Sequence, residues 1–141
     1  IKNITVLFDY GNKQVKTLVK QIKYKNNLNL KKRVALYFYE EVMLGHDGTI
    51  SALKSWLKGD DFFVLNGDTI SNVNLTEMKK QHKKGTISIL MENWRACGTW
   101  IYPKEYFEIK DIPIIPYRPS GLMWFDIGTS ERLEKAREYF K

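Results

Sequence analysis

Phe62-Phe63-Val64-Leu65-Asn66-Gly67-Asp68-Thr69 is the stretch on which the fold turns. Four apolar residues in a row are too few for a helix and lack alternation, which is the pattern of a short strand buried on both faces. Asn-Gly-Asp stops the run with turn-forming residues. Working outward, apolar strand-length runs recur at residues 4–8, at Val34-Ala35-Leu36-Tyr37-Phe38-Tyr39, at residues 86–91 and at Leu122-Met123-Trp124-Phe125. Stretches of helical period lie between them. Val15, Leu18, Val19 and Ile22 mark one face of a helix over 13–23, and Ile50, Leu53, Trp56 and Leu57 mark another that Asp47 or Thr49 would cap. Residues 75–84 read as a helix with Thr76 as its capping residue and Gly85 as its stop, and a last helix opens at Ser130 and reaches Phe140. Strands alternating with helices predict an α/β layered domain with a largely parallel sheet.

The last third is less regular. Thr99-Trp100-Ile101-Tyr102 reads as a strand, residues 103–107 as a short helical turn, and residues 114–117 as an edge strand limited by Pro113, Pro116 and Pro119. With 141 residues the chain has the size of one domain, and its 43% hydrophobic and 28% charged residues are ordinary for a globular protein. No apolar run spans a bilayer and no leader opens the chain, so a soluble, cytoplasmic protein without membrane contact is expected. One cysteine, Cys97, excludes an internal disulfide framework, and His46 and His82 are too few for a zinc site. Hard metals bound by oxygen stay open. The net charge of +7 is spread over short lysine clusters, without a helix-turn-helix or a basic stripe interleaved with aromatics. Nucleic acid is therefore the least favoured partner, and a small polyanion fits the charge as well.

Ligands of parallel α/β sheets collect at the carboxyl ends of the strands. Three such ends are polar: Glu40-Glu41 with the loop Leu44-Gly45-His46-Asp47-Gly48, the Asn66-Gly67-Asp68-Thr69 turn, and Asp126-Ile127-Gly128-Thr129. Asp68 and Asp126 each end an apolar strand beside a glycine, an arrangement able to share one Mg²⁺ through carboxylate oxygens. The same residues are equally the ordinary chemistry of turns and helix entries. Their spacing does not decide between the two.

The segment FFVLNGDTISNVNL (62–75) resembles the metal-binding strand end of the sugar-1-phosphate nucleotidyltransferases, the hexose- and heptose-1-phosphate guanylyl- and cytidylyltransferases in particular. LGHDGTI (44–50), preceded by Glu41, is similar to that family's base-binding loop. WFDIGT (124–129), with Ala136 on the helix after it, is similar to its second metal-binding segment, and CGTWIY (97–102) to the segment that lines its sugar pocket. These four segments stand in the family's order over nearly the whole chain.

The resemblance implies a Rossmann-like three-layer fold and transfer of a nucleotidyl group from a nucleoside triphosphate to a sugar 1-phosphate. Asp68 and Asp126 would be the catalytic, Mg²⁺-holding pair. Glu41, Leu44, Gly45, Gly48, Asn66 and Gly67 would meet the nucleotide, and Gly98 and Thr99 the sugar. Two family features have no counterpart: the first strand with its GGxGTRL phosphate loop, and the Glu-Lys-Pro segment, which is shortened here to Glu92-Asn93-Trp94-Arg95-Ala96. The chain therefore reads as truncated at its N-terminus and shortened after Met91. An unpaired central strand position points to a homo-oligomer or a complementing N-terminal segment. A non-catalytic nucleotide-binding or regulatory subunit is the alternative this leaves open. Arg95 reads as an exposed arginine in a tight connection, His82 as a surface residue of a lysine-rich helix face, and the four tryptophans as core residues before ligand platforms.

Overall fold

The computed structural model describes residues 3–8, 34–39, 48, 50, 51, 54, 57 and 59–141. The chain divides into two compact units, Ile1–Leu53 and Lys54–Lys141. In the first, β1 (Asn3–Phe8) and β2 (Val34–Tyr39) pair in parallel over their full length, from Asn3 opposite Val34 to Phe8 opposite Tyr39. Both strands fall where the apolar runs predict them. Gly48, Ile50 and Ser51 are helical. The helix read over 13–23 and the residues Glu41, Leu44 and Gly45 lie outside the described residues.

The second unit holds β3 (Phe62–Leu65), β4 (Thr69–Ser71), α1 (Leu75–Gln81), β5 (Ile87–Glu92), β6 (Arg95–Tyr102), β7 (Ile114–Tyr117), β8 (Trp124–Asp126) and α2 (Ser130–Tyr139). Its main sheet has the order β3-β6-β5-β7. β6 is antiparallel to both β3 and β5, while β5 and β7 are parallel. Three of the four strands thus run one way, but β6 runs against them from between two of them. The sheet is mixed, and the expectation of a largely parallel sheet is corrected to a partly parallel one.

The cause is the short passage after Met91. Glu92 pairs with Arg95, so Asn93 and Trp94 form a two-residue hairpin turn, with Asn93 at φ 52°. Asparagine tolerates that left-handed conformation, and so tight a turn returns the chain beside the strand it left, not across the sheet. β6 consequently begins at Arg95, earlier than the apolar run suggests. Between Ile89 and Met91 the register slips, since Ile89 faces Trp100 and Met91 faces Ala96. Such a bulge re-aims the backbone around Gly98.

The core is made by Met78 of α1, Leu90 of β5, and Cys97 and Ile101 of β6, with Phe63, Val73, Tyr117, Leu122 and Trp124 packed against it. Tyr102 and Phe107 stack on Phe62 at the start of β3 and Tyr106 meets them edge-on, where the predicted turn over 103–107 closes with Tyr106 N–H donating to the Pro103 carbonyl at 2.9 Å. β7 is an edge strand of the sheet, which is where Pro116 is tolerated.

Three readings change. α1 ends at Gln81, and its cap is Asn74, not Thr76: the Asn74 side chain accepts from the Glu77 N–H at 3.1 Å. His82 is not a surface residue, since its side chain is 2% exposed. Trp94 is not a core residue. It is 87% exposed at the hairpin tip, where the Arg118 guanidinium lies 5.7 Å from its ring centroid. Arg95, as expected, is exposed beside it.

Candidate functional site

β4 and β8 form a separate two-stranded antiparallel ladder, with Thr69 opposite Asp126, Ile70 opposite Phe125 and Ser71 opposite Trp124. Asn72 extends it at one end, donating its N–H to the Met123 carbonyl at 3.1 Å and accepting from the Met123 N–H through Oδ1 at 2.8 Å. At the other end the Ile127 N–H donates to the Asp68 carbonyl at 2.8 Å. Residues 58 positions apart in the chain are thereby fixed side by side, Asp68 in the turn just before β4 and not at the end of β3, and Asp126 as the last residue of β8.

Gly128 shows how close the two carboxylates come. A Cβ placed on it would stand 2.9 Å from Asp68 Oδ2 and 3.2 Å from Asp126 Oδ1. Any side chain at this position would enter the space the two carboxylates share. Its N–H also donates to Asp126 Oδ1 at 2.9 Å. On the other oxygen, Arg132 Nη1 donates to Asp126 Oδ2 at 2.7 Å. The Gly128 N–H and then the Arg132 side chain hold the Asp126 carboxyl below the usual aspartate range.

Helix α2 begins at once after this loop. Thr129 caps it, accepting the Arg132 N–H at 3.3 Å, and Ala136 is buried on it. Arg132 therefore sits in the first turn, where the helix dipole favours an anion and not a cation. The Asp126 partner accounts for it. That misplaced charge was the sequence signal for Arg132, which the strand-end reading passed over.

The segment Cys97-Gly98-Thr99-Trp100-Ile101-Tyr102 adjoins the pair through Gly98. The Asn66 N–H donates to the Gly98 carbonyl at 2.8 Å. Gly98 has φ +66°, and a Cβ on it would stand 2.6 Å from Thr69 Oγ1 and 3.2 Å from Asn66 Cβ. Only glycine meets both demands. Asn66, Asp68, Thr69, Gly98, Asp126, Gly128 and Arg132 thus form one connected group, of which Arg132 was not foreseen and Thr69 was named only as part of its strand-end turn. Gly67 is exposed with open space where a side chain would be. Thr99 is 2% exposed in the ladder opposite Leu65. Gly48 belongs to the first unit.

The donor set suits a hard cation, since both groups are carboxylates that meet across a glycine cradle. Among the described residues no group of three His, Cys, Asp or Glu side chains is placed to hold a metal. A cage built from protein alone is thus not formed by them. Mg²⁺ is commonly held by one or two carboxylates together with ligand phosphates, and the pair fits that mode.

No protein-family model matches the sequence, and no curated protein matches it. Solved structures do. HddC from Yersinia pseudotuberculosis superposes with a TM-score of 0.74 over 100% of this chain and 80% of its own, at 17% identity. The same protein complexed with GMP-PN gives a TM-score of 0.69 over 99% of this chain and 78% of its own, also at 17% identity. At this identity the likeness establishes the fold. Among the described residues no helix is long and apolar enough to cross a membrane.

Proposed function

We propose that this chain binds a nucleoside triphosphate with Mg²⁺ at Asp68 and Asp126 and belongs to a sugar-1-phosphate nucleotidyltransferase. The observation that carries the reading is the β4–β8 ladder, which sets the two aspartates around a glycine where an added Cβ would crowd both carboxylates. Four sequence segments in family order support it, and so does the likeness to a protein solved with the nucleotide analogue GMP-PN.

The reaction is in-line attack by a phosphate oxygen of the sugar 1-phosphate on the α-phosphorus of the triphosphate. A new P–O bond forms, the bond to the bridging oxygen of the β-phosphate breaks, and pyrophosphate leaves. Such a transfer depends on positioning and charge neutralisation, with no protein nucleophile required. Mg²⁺, when bound, neutralises phosphate charge and polarises the reacting phosphorus. Asp68 and Asp126 would hold it. In the same reading Asn66 and Gly67 meet the nucleotide, and Gly98 keeps the strand close enough for the sugar to lie against its backbone.

Pyrophosphate release tests the proposal, measured with each nucleoside triphosphate and a panel of hexose and heptose 1-phosphates. Release that needs Mg²⁺ and is lost in Asp68→Asn supports it. Release unchanged in Asp68→Asn removes the metal assignment, whereas nucleotide binding without release under any pairing assigns the chain to nucleotide binding only.

A further inference from the structure

We propose that Arg132 is an exchangeable counter-ion of the site, neutralising Asp126 before the cation arrives and contacting ligand phosphate once the cation has taken the carboxylate. The inference rests on the reading of Asp68 and Asp126 as a Mg²⁺ pair. Three observations carry it. First, both Asp126 oxygens are engaged: Oδ1 accepts the Gly128 N–H at 2.9 Å and Oδ2 accepts Arg132 Nη1 at 2.7 Å. The backbone donor is fixed by the loop, whereas the guanidinium ends a flexible side chain, so Oδ2 is the oxygen that can be released.

Second, the pair is exposed, with Arg132 at 54% and Asp126 at 41%. Exposed ion pairs contribute little to stability, so breaking this one costs the fold little. Third, Arg132 stands in the first turn of α2, where the unpaired N–H groups of the helix repel a cation. Asp126 is the contact that offsets the repulsion, and an incoming phosphate offers the same compensation. A guanidinium carries five donors in a planar fork suited to phosphate. The Thr129 hydroxyl caps the Arg132 N–H in either state, so the side chain moves without unwinding the helix.

The test uses the full chain and two probes, Mg²⁺ alone and inorganic tripolyphosphate in saturating Mg²⁺, both followed by calorimetric titration. In Arg132→Gln the competing cation is gone, and Mg²⁺ affinity without phosphate rises about threefold or more. Tripolyphosphate affinity falls about tenfold, as for loss of one charged hydrogen bond. Arg132→Lys, which keeps the charge without the fork, leaves Mg²⁺ affinity near wild type and weakens tripolyphosphate. Mg²⁺ binding that is equal or weaker in Arg132→Gln overturns the exchange while leaving the metal pair in place. If neither wild type nor Arg132→Gln binds Mg²⁺, the metal reading falls and the exchange falls with it.

Discussion

Gly128 owes its importance to what is missing from it. Its backbone is not in a left-handed region, so alanine would be accepted by the chain, yet the added methyl would stand 2.9 Å from Asp68 Oδ2 and 3.2 Å from Asp126 Oδ1. Gly128→Ala is therefore expected to separate function from stability. Mg²⁺-dependent nucleotide binding should fall about 10–100-fold, the range found when the support of a metal ligand is disturbed. Thermal stability should stay within about 0.5 kcal/mol, because the glycine is exposed. His82 is the opposite case, a residue whose type suggested the surface and whose contacts place it inside. Its Nδ1 lies 2.7 Å from Ser88 Oγ, and its Nε2, without a hydrogen bond, lies 3.7 Å from Asp61 Oδ2. Burial, and then the nearby Lys79 charge, keep its pKa below the ordinary 6.5, with Asp61 opposing. A histidine depressed in the fold is neutral there while the unfolded chain takes up a proton. Stability is thus complete above pH 6.5 and is lost as the pH falls from 6.5 toward the folded value. Urea midpoints across this window should decline in the wild type and flatten in His82→Asn, which retains a polar atom for Ser88. An equal decline in both proteins would place the pH dependence elsewhere. Lysines around His82 dominate the local sequence, and only the packing of α1 on β5 reveals its burial.

Strand β6 determines how the elements fit together. The sequence shows its apolar half, Thr99 to Tyr102, but its direction depends on the Asn93-Trp94 turn and its aim on the bulge opposite Leu90, neither of which has a periodicity to read. Short apolar strands and their order were legible from continuous hydrophobic runs of strand length, although β3 is a half-buried edge strand with Leu65 exposed and not one buried on both faces. Pairing was not, since the pairing of β6 with β3 and the joining of β4 to β8 are contacts between residues distant in sequence. The capping of α1 follows the same division, because Asn74 and Thr76 are both capping types and the backbone selects Asn74. Gly98 is where element geometry and site meet. At φ +66°, with Thr69 Oγ1 at 2.6 Å from the place of a Cβ, it should not accept alanine. Gly98→Ala is expected to destabilise the second unit by about 2–4 kcal/mol, from the left-handed backbone and the overlap together. Denaturant unfolding checks it, and a loss below about 1 kcal/mol would show that β4 yields to the methyl.

For the whole molecule, a net charge of +7 on a mixed α/β fold agrees with a polyphosphate ligand drawn to a pair of carboxylates only if a cation mediates between them. Two aspartates alone repel a triphosphate. The resemblance in four segments points to Asp68 and Asp126, and the β4–β8 ladder supplies what spacing in the sequence could not, their approach to each other at Gly128. Arg132 escaped because its role depends on Asp126 at the end of the preceding strand. The fold is shared with HddC. The direct measurement is calorimetric titration of the full chain with a nucleoside triphosphate, with and without Mg²⁺, in wild type and Asp68→Asn. Wild-type binding should require Mg²⁺, and Asp68→Asn should weaken it by more than about tenfold, the least that even an indirect disturbance of a metal ligand costs. Binding that is indifferent to Mg²⁺, or equal in the two proteins, would contradict the account.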